Sequence, residues 1–230
     1  MRKRIAIAAL LLTVSTGAQA GAGRPLQSGM ARIEAGTFRP LFANPGETRV
    51  GIAAFAIDTV PVSQAQFLAF AKKHPQLAPQ FLKNATSSAT MPATRVSWFA
   101  AEAYCKDRGA RLPTTNEWEY VAAASEKQRN ASAQPAFRQR VLELAMMVDP
   151  RRFTIGSGIR NVWGVRDIHG GVTEWTHDFG HHKHGASCAA GTVQTGDGSD
   201  YAAFMRYSFR SSAEADATSG NVGFRCVADA

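Results

Sequence analysis

Helix signals crowd the first 147 residues of this 230-residue chain and then stop. Beyond residue 150, Gly, Asp, Asn, Ser and His dominate in short runs, with β-type pieces too brief for long strands. That asymmetry excludes an alternating βαβ architecture and points to an α+β chain whose helices and strands are segregated. Long loops in a compact chain signify function, or a fold tied down by ions and staples. No internal repeat or linker interrupts the sequence, so residues 30–230 read as a single, loop-rich domain.

The local signals place the elements. Ala31 to Phe38 and Val50 to Ile57 read as strands, with Asn44-Pro45-Gly46 as a turn between them. Ser63 and Gln66 form a capping box that opens a helix through Phe67, Leu68, Phe70 and Ala71, ending near His74-Pro75. Residues 75–94 are polar and proline-containing and read as surface loop. Ser97 caps a helix with Trp98, Ala101, Tyr104 and Cys105 at helical spacing, closed by Gly109. Thr114 and Glu117 make a second capping box, before a helix that should bury Trp118, Val121 and Ala122. Residues 135–147 carry Phe137, Val141, Leu144 and Ala145 on one amphipathic stretch, and short strands are expected at Gly171–Trp175, Ala203–Phe209 and Val222–Val227.

The N-terminus carries an address. Arg2, Lys3 and Arg4 precede an apolar run from Ile5 to Val14, and Ala18-Gln19-Ala20 supplies a small-x-small cleavage site. Residues 1–20 therefore read as a signal peptide and 21–29 as a flexible leader, with a periplasmic destination. The alternative, an uncleaved membrane anchor, is opposed by Thr13, Ser15, Thr16 and Gly17, which break the run. Three basic residues leave with the signal, so the formal charge of +8 becomes +5. That surplus is scattered, without basic runs or basic–aromatic interleaving, which argues against nucleic acid. No later segment is long and apolar enough to span a membrane. Three cysteines remain: Cys105, Cys188 and Cys226. An oxidising compartment favours one disulfide and leaves one thiol over.

Four segments together carry a resemblance. They are Val96-Ser-Trp-Phe-Ala-Ala-Glu-Ala-Tyr-Cys105 running into Gly109-Ala-Arg-Leu-Pro-Thr-Thr-Asn-Glu-Trp-Glu-Tyr120; Asn161-Val-Trp-Gly-Val-Arg-Asp-Ile-His-Gly-Gly-Val-Thr-Glu-Trp175; His184-Gly-Ala-Ser187; and Arg210-Ser-Ser with Asn221-Val-Gly-Phe-Arg-Cys226. In this order they resemble the formylglycine-generating enzyme family, also called sulfatase-modifying factors, from about residue 30 to the end. The resemblance implies a C-type-lectin-like fold of the sulfatase-modifying factor type. It also implies a Cys105–Cys226 disulfide, which leaves Cys188 as the thiol. It further implies a structural calcium ion on the segment Asp167–Glu174, with side-chain oxygens from Asp167 and Glu174 and backbone carbonyls from Gly170 and Val172. Two carboxylates with intervening carbonyls and water suit a hard cation that takes six to eight oxygens.

The family's oxidases bind copper and activate oxygen through two cysteines five positions apart. Those positions fall near Asp197 and Ala202 here, and no Cys-x-x-x-x-Cys occurs anywhere in the chain. Gly171 and Thr173 also stand where the family usually has Asn and Trp. The usual chemistry is therefore expected to be lost. Cys188-Ala-Ala-Gly, Asp200-Tyr-Ala-Ala-Phe-Met-Arg206 and Phe209-Arg-Ser-Ser212 resemble a subgroup associated with copper nitrite reductases.

Cys188, with Ser187 before it, marks where the family's active loop begins, and these two are the candidate catalytic residues. As a thiol beside His181, His182, His184 and Met205, Cys188 suits Cu(I) or zinc. Its plain reading is a buried small apolar residue, and that of the His tract, favoured over a metal site, is a solvated surface turn. Glu117 and Glu119 sit after a cap, where carboxylates favour the helix dipole. Arg206, Arg210 and Arg225 are expected in buried ion pairs rather than in catalysis. The sequence thus suggests a periplasmic accessory or maturation factor that binds a protein partner, a copper enzyme of the nitrite reductase type. The alternative is a diverged oxygen-dependent oxidase acting through Cys188 and a metal.

Overall fold

The computed structural model describes residues 26–40, 49–146, 153–179, 209 and 212–230. Four short strands open it: β1 (Met30–Ile33), β2 (Gly36–Phe38), β3 (Val50–Ile52) and β4 (Phe55–Asp58). The two strands expected here are each divided in two. The pairing nonetheless keeps one register, because Ile33↔Phe55 in β1·β4 continues as Gly36↔Ile52 in β2·β3, three residues on along both chains. The pairing register is kept across the interruption but the facing is not, because Ile33 and Phe38, five residues apart, and Ile52 and Phe55, three apart, are buried in one layer.

The β1·β4 pair gains β7 (Val227–Asp229) on its other edge, giving an antiparallel sheet in the order β1-β4-β7. β4 is buried along its whole length. Alternate residues of this sheet face two apolar layers. Met30, Ala56 and Ala228 join one layer, while Ile33, Phe55, Ile57 and Val227 join the other. This is the period-two pleat of a strand covered on both sides.

Helices build the first layer. α1 (Gln64–Lys73) starts from the Ser63–Gln66 capping box, with both reciprocal bonds present, and its last N–H bond is made by His74. α3 (Trp98–Asp107) is capped by the Ser97 side chain, and Gly109 succeeds it in the left-handed conformation at φ 66°. Phe67 is the centre of this layer, with ring centroids 4.7 Å from Phe81 and 5.6 Å from Phe70, Tyr104 and Phe224. Full burial of one such ring contributes about 1.5–3 kcal/mol.

Phe81 also explains one correction. The stretch 75–94, expected as loop, contains a 3₁₀ turn at Pro75–Leu77 and the short α2 (Pro79–Asn84). Each begins on a proline, whose fixed φ suits the first helical position. Six residues with one fully buried anchor are too few to show a helical period, and α2 holds through its contact with Phe67 rather than through propensity.

The second layer takes α4 (Thr115–Ala122), again from a complete capping box, with Trp118, Val121 and Ala122 buried as expected. α5 (Pro135–Met146) buries only Val141, while Ala145, expected on the apolar face, is exposed. In the loop-rich part, β5 (Thr173–Glu174) lies parallel to β6 (Val222–Gly223). The expected strand 222–227 is thereby split, because Phe224, Arg225 and Cys226 leave the ladder and turn into the core. Of the stretch 203–209, only Phe209 is described, and it is helical. No helix among the described residues is long and apolar enough to cross a membrane.

Candidate functional site

The segment running from Asn161 to Phe179 meets the C-terminal Gly-Phe-Arg-Cys stretch at the middle of the molecule. Asn161 folds its start: Oδ1 accepts from the Trp163 and Val165 amides, and Nδ2 donates to the Val121 carbonyl. Asp167 comes next in the left-handed region at φ 59°, with Gly170 and Gly171 at 88° and 78°. The curl this produces turns the Asp167 carboxylate onto the amides of Gly156 and Gly158. Burial pushes the Asp167 carboxyl above its usual range, against the opposing effect of those two N–H bonds. Gly171 is tightly enclosed, since a Cβ there would come within 2.7 Å of the Phe153 ring. Phe153 thus occupies the space a side chain would need, which accounts for a glycine at this position.

Parallel pairing of β5 with β6 sets Glu174 against Gly223, and so places it beside Arg225, two residues on. Arg225 Nε and Nη2 each donate to the Glu174 carboxylate at 2.7 Å, a bidentate pair. Nη1 donates to the carbonyls of Asp58 and Arg166, and Nη2 also to that of Arg166. All five guanidinium N–H groups therefore meet an oxygen. Trp118 Nε1 donates to Glu174 Oε2 at 2.7 Å. Glu174 and Arg225 are buried with side chains 0% exposed. One residue on, Cys226 is bonded to Cys105, and its amide donates to Asp58 Oδ2. Arg108 holds both oxygens of Asp58 at 2.9 Å.

The expectation of a buried, ion-paired Arg225 is met. The same geometry bears on calcium. Asp167, Gly170, Val172 and Glu174 do lie on one turn, but both Glu174 oxygens already hold Arg225 and the Trp118 indole. The Gly170 carbonyl accepts from the Val172 amide, and each Asp167 oxygen accepts a backbone N–H. So arranged, Glu174 is engaged by Arg225 and Trp118, and its carboxylate would join a Ca²⁺ shell only by giving up that pair. Arg225 supplies the positive charge at this point of the fold. Among the described residues no group of three or more His, Cys, Asp or Glu side chains could hold a metal.

Glu117 serves structure, as expected from the cap. It closes the α4 box and grips Arg111 through both oxygens. That contact, helped by Asp229 and opposed by burial, holds the Arg111 guanidinium above its ordinary range. Glu119 is buried within α4. Cys188, Ser187, His181, His182, His184 and Met205 lie outside the described residues, as do Asp197, Ala202, Arg206 and Arg210.

The chain leading to residue 180 is firmly held. Trp175 Nε1 donates to the Val96 carbonyl and Trp98 Nε1 to that of Thr176. Asp178 Oδ1 accepts from both the amide and the hydroxyl of Thr115 in the first turn of α4. His177 Nδ1 stands 3.4 Å from Glu102 Oε1. Trp98 lies 5.4 Å from the exposed Phe99 and 5.8 Å from Phe179, between ring centroids. Sequence reasoning missed Thr176, His177 and Asp178. The signal was a polar triplet directly after Trp175, with no local partner to explain it.

The sulfatase-modifying factor enzyme 1-like domain matches residues 18–230. The chain belongs to this family. Within it, the sequence is 30% identical over 154 residues to a bovine protein described as inactive C-alpha-formylglycine-generating enzyme 2, a match covering 60% of this chain and 50% of that protein. It is equally 30% identical over 166 residues to the formylglycine-generating enzyme of Streptomyces coelicolor, covering 60% of this chain and 53% of the relative. The chain thus spans about half the length of these curated relatives. Its fold is similar to that of PvdO from Pseudomonas aeruginosa, with a TM-score of 0.51 at 18% identity, over 87% of this chain and 94% of that one. The mixed helix-and-sheet architecture is therefore shared well beyond the segments that carry the motifs.

Proposed function

We propose that this member of the family is a non-catalytic, periplasmic accessory protein that binds a protein partner during maturation of a copper enzyme of the nitrite reductase type. One observation carries the loss of catalysis. Of three cysteines, Cys105 and Cys226 are joined to each other, so Cys188 is the single thiol left. A copper centre built on two thiolates of one chain needs two free cysteines, and soft Cu(I) has no equivalent second ligand in a carboxylate or a hydroxyl. Similarity to relatives described as inactive supports the same reading. The copper-reductase link rests on the Cys188-Ala-Ala-Gly and Asp200–Arg206 segments. After removal of residues 1–20, one C-type-lectin-like domain would carry the role. Cys188 with His181, His182 and His184 offers one thiolate and three imidazoles, a donor set that suits Cu(I) in transit rather than oxygen activation.

Mature protein incubated with a sulfatase-type cysteine peptide, oxygen and Cu(I) is expected to yield no formylglycine. Mass-spectrometric aldehyde above the no-protein control would show that catalysis persists. Production of the copper reductase with this chain is expected to raise the copper content of the purified reductase over production without it. Equal copper occupancy in both would remove the accessory role.

A further inference from the structure

We propose that the cleft between α2 and the segment Met91–Arg95 binds a carboxylate carried on a short apolar stem. The cleft has a volume of about 130 Å³ and is lined by Gln64, Phe81, Asn84, Met91, Pro92, Thr94, Arg95 and Gly220. That space approaches the roughly 150 Å³ of a cavity that takes up a six-carbon ring. Its wall of Phe81, Met91 and Pro92 is apolar, and no acidic residue among the described residues lines it.

Two donor-bearing side chains line it. Arg95 is a non-glycine residue at φ 59°, held in this conformation while its amide donates to the Ser219 carbonyl. Only a few per cent of such residues enter that region, and they gather at ligand clamps. Its guanidinium is exposed, lies over Gly220 and makes no hydrogen bond or ion pair with any described residue. Arg108, Arg111 and Arg225, by contrast, each hold a carboxylate. Gln64 is the second donor. It is 8% exposed, and its Oε1 accepts from both the amide and the hydroxyl of Thr86. A backbone N–H can only donate, so this contact fixes which end of the side chain is oxygen. Gln64 lines the cleft, and its Nε2 makes no hydrogen bond with any described residue. A planar guanidinium and a fixed amide N–H, with no competing carboxylate, match a carboxylate's two oxygens. The apolar wall selects a carbon stem over a bare anion.

Mature protein titrated with butyrate and followed by amide NMR shifts is expected to show saturable changes at Gln64, Thr94 and Arg95. Butyramide and inorganic phosphate should each bind about tenfold or more weakly, since a bond to a charged acceptor is lost in one and the stem in the other. Arg95→Gly should weaken butyrate by about tenfold or more with no loss in melting temperature, because glycine takes φ above zero without penalty. Gln64→Glu, which keeps the acceptor for Thr86, should abolish binding. A peptide with blocked ends and one glutamate that binds tighter than butyrate assigns a protein-borne ligand, and one that binds more weakly assigns a free short-chain acid. Butyramide or phosphate binding as tightly as butyrate, an unchanged affinity in Arg95→Gly, or no saturable shift would overturn the site.

Discussion

Arg225→Met is expected to destabilise the protein by about 3–5 kcal/mol, because it leaves the Glu174 carboxylate buried with no counter-charge. The variant also strips the donor from the Asp58 and Arg166 carbonyls. Glu174→Gln should cost a similar amount from the other side, stranding a buried guanidinium. The pair is coupled, so Glu174→Met combined with Arg225→Met should lose less than the two single losses added together. Urea unfolding of the three variants measures this. A single-variant loss within about 0.5 kcal/mol, the usual effect of a surface substitution, would show that the pair does not hold the fold. The same measurement bears on calcium. With Glu174 engaged by Arg225, the melting temperature should be the same in excess Ca²⁺ and in chelator, since an ion that does not bind the folded state cannot stabilise it. A fall on chelation would restore the ion expected from the resemblance to the segment Asp167–Glu174.

Reduction of Cys105–Cys226 is expected to be comparably damaging. The bond joins residues separated by 121 positions. In the chain-entropy model, freeing a loop of that order destabilises the native state by about 4–5 kcal/mol. Both half-cystines are fully buried, Cys105 on α3 and Cys226 beside Arg225. The bond thereby ties the helical layer to the start of β7, the edge strand of the sheet. The measurement is urea unfolding of Cys188→Ala protein with and without reductant, so that no third thiol can exchange. Equal midpoints would show that the staple is dispensable. Peptide mapping of native protein that found Cys188 bonded to either partner would refute the assignment.

The two effects fall on adjacent residues, which explains why the terminal Gly-Phe-Arg-Cys stretch cannot remain a strand. Arg225 must reach Glu174 and Cys226 must reach Cys105, in the same place where Phe224 enters the ring cluster around Phe67. A regular ladder would send alternate side chains to opposite faces. Breaking the ladder between β6 and β7 lets three consecutive side chains turn inward.

What the sequence determined by itself was local. The starts of α1, α3 and α4 were marked by Ser63, Ser97 and Thr114, because an N-cap bonds an amide three residues away. The strands were legible from their apolar residues, but the break at Glu34-Ala35 was not, because Ile33 with Phe38 and Ile52 with Phe55 are buried in one layer at odd spacings that no single strand would give. The disulfide and the family were visible because whole motifs recur in order. Where stabilisation came from partners distant in sequence, only the tertiary structure decided. α2 exists because Phe81 finds Phe67, and Asp178 caps a helix 63 positions earlier. Glu174, expected to hold a cation, meets Arg225 across 51 positions instead. Gln64, Arg95 and Gly220 line one cleft without sharing any motif. A carboxylate or an amide has no periodicity of its own, so its partner is set by which chain segments the packed core brings within hydrogen-bonding distance.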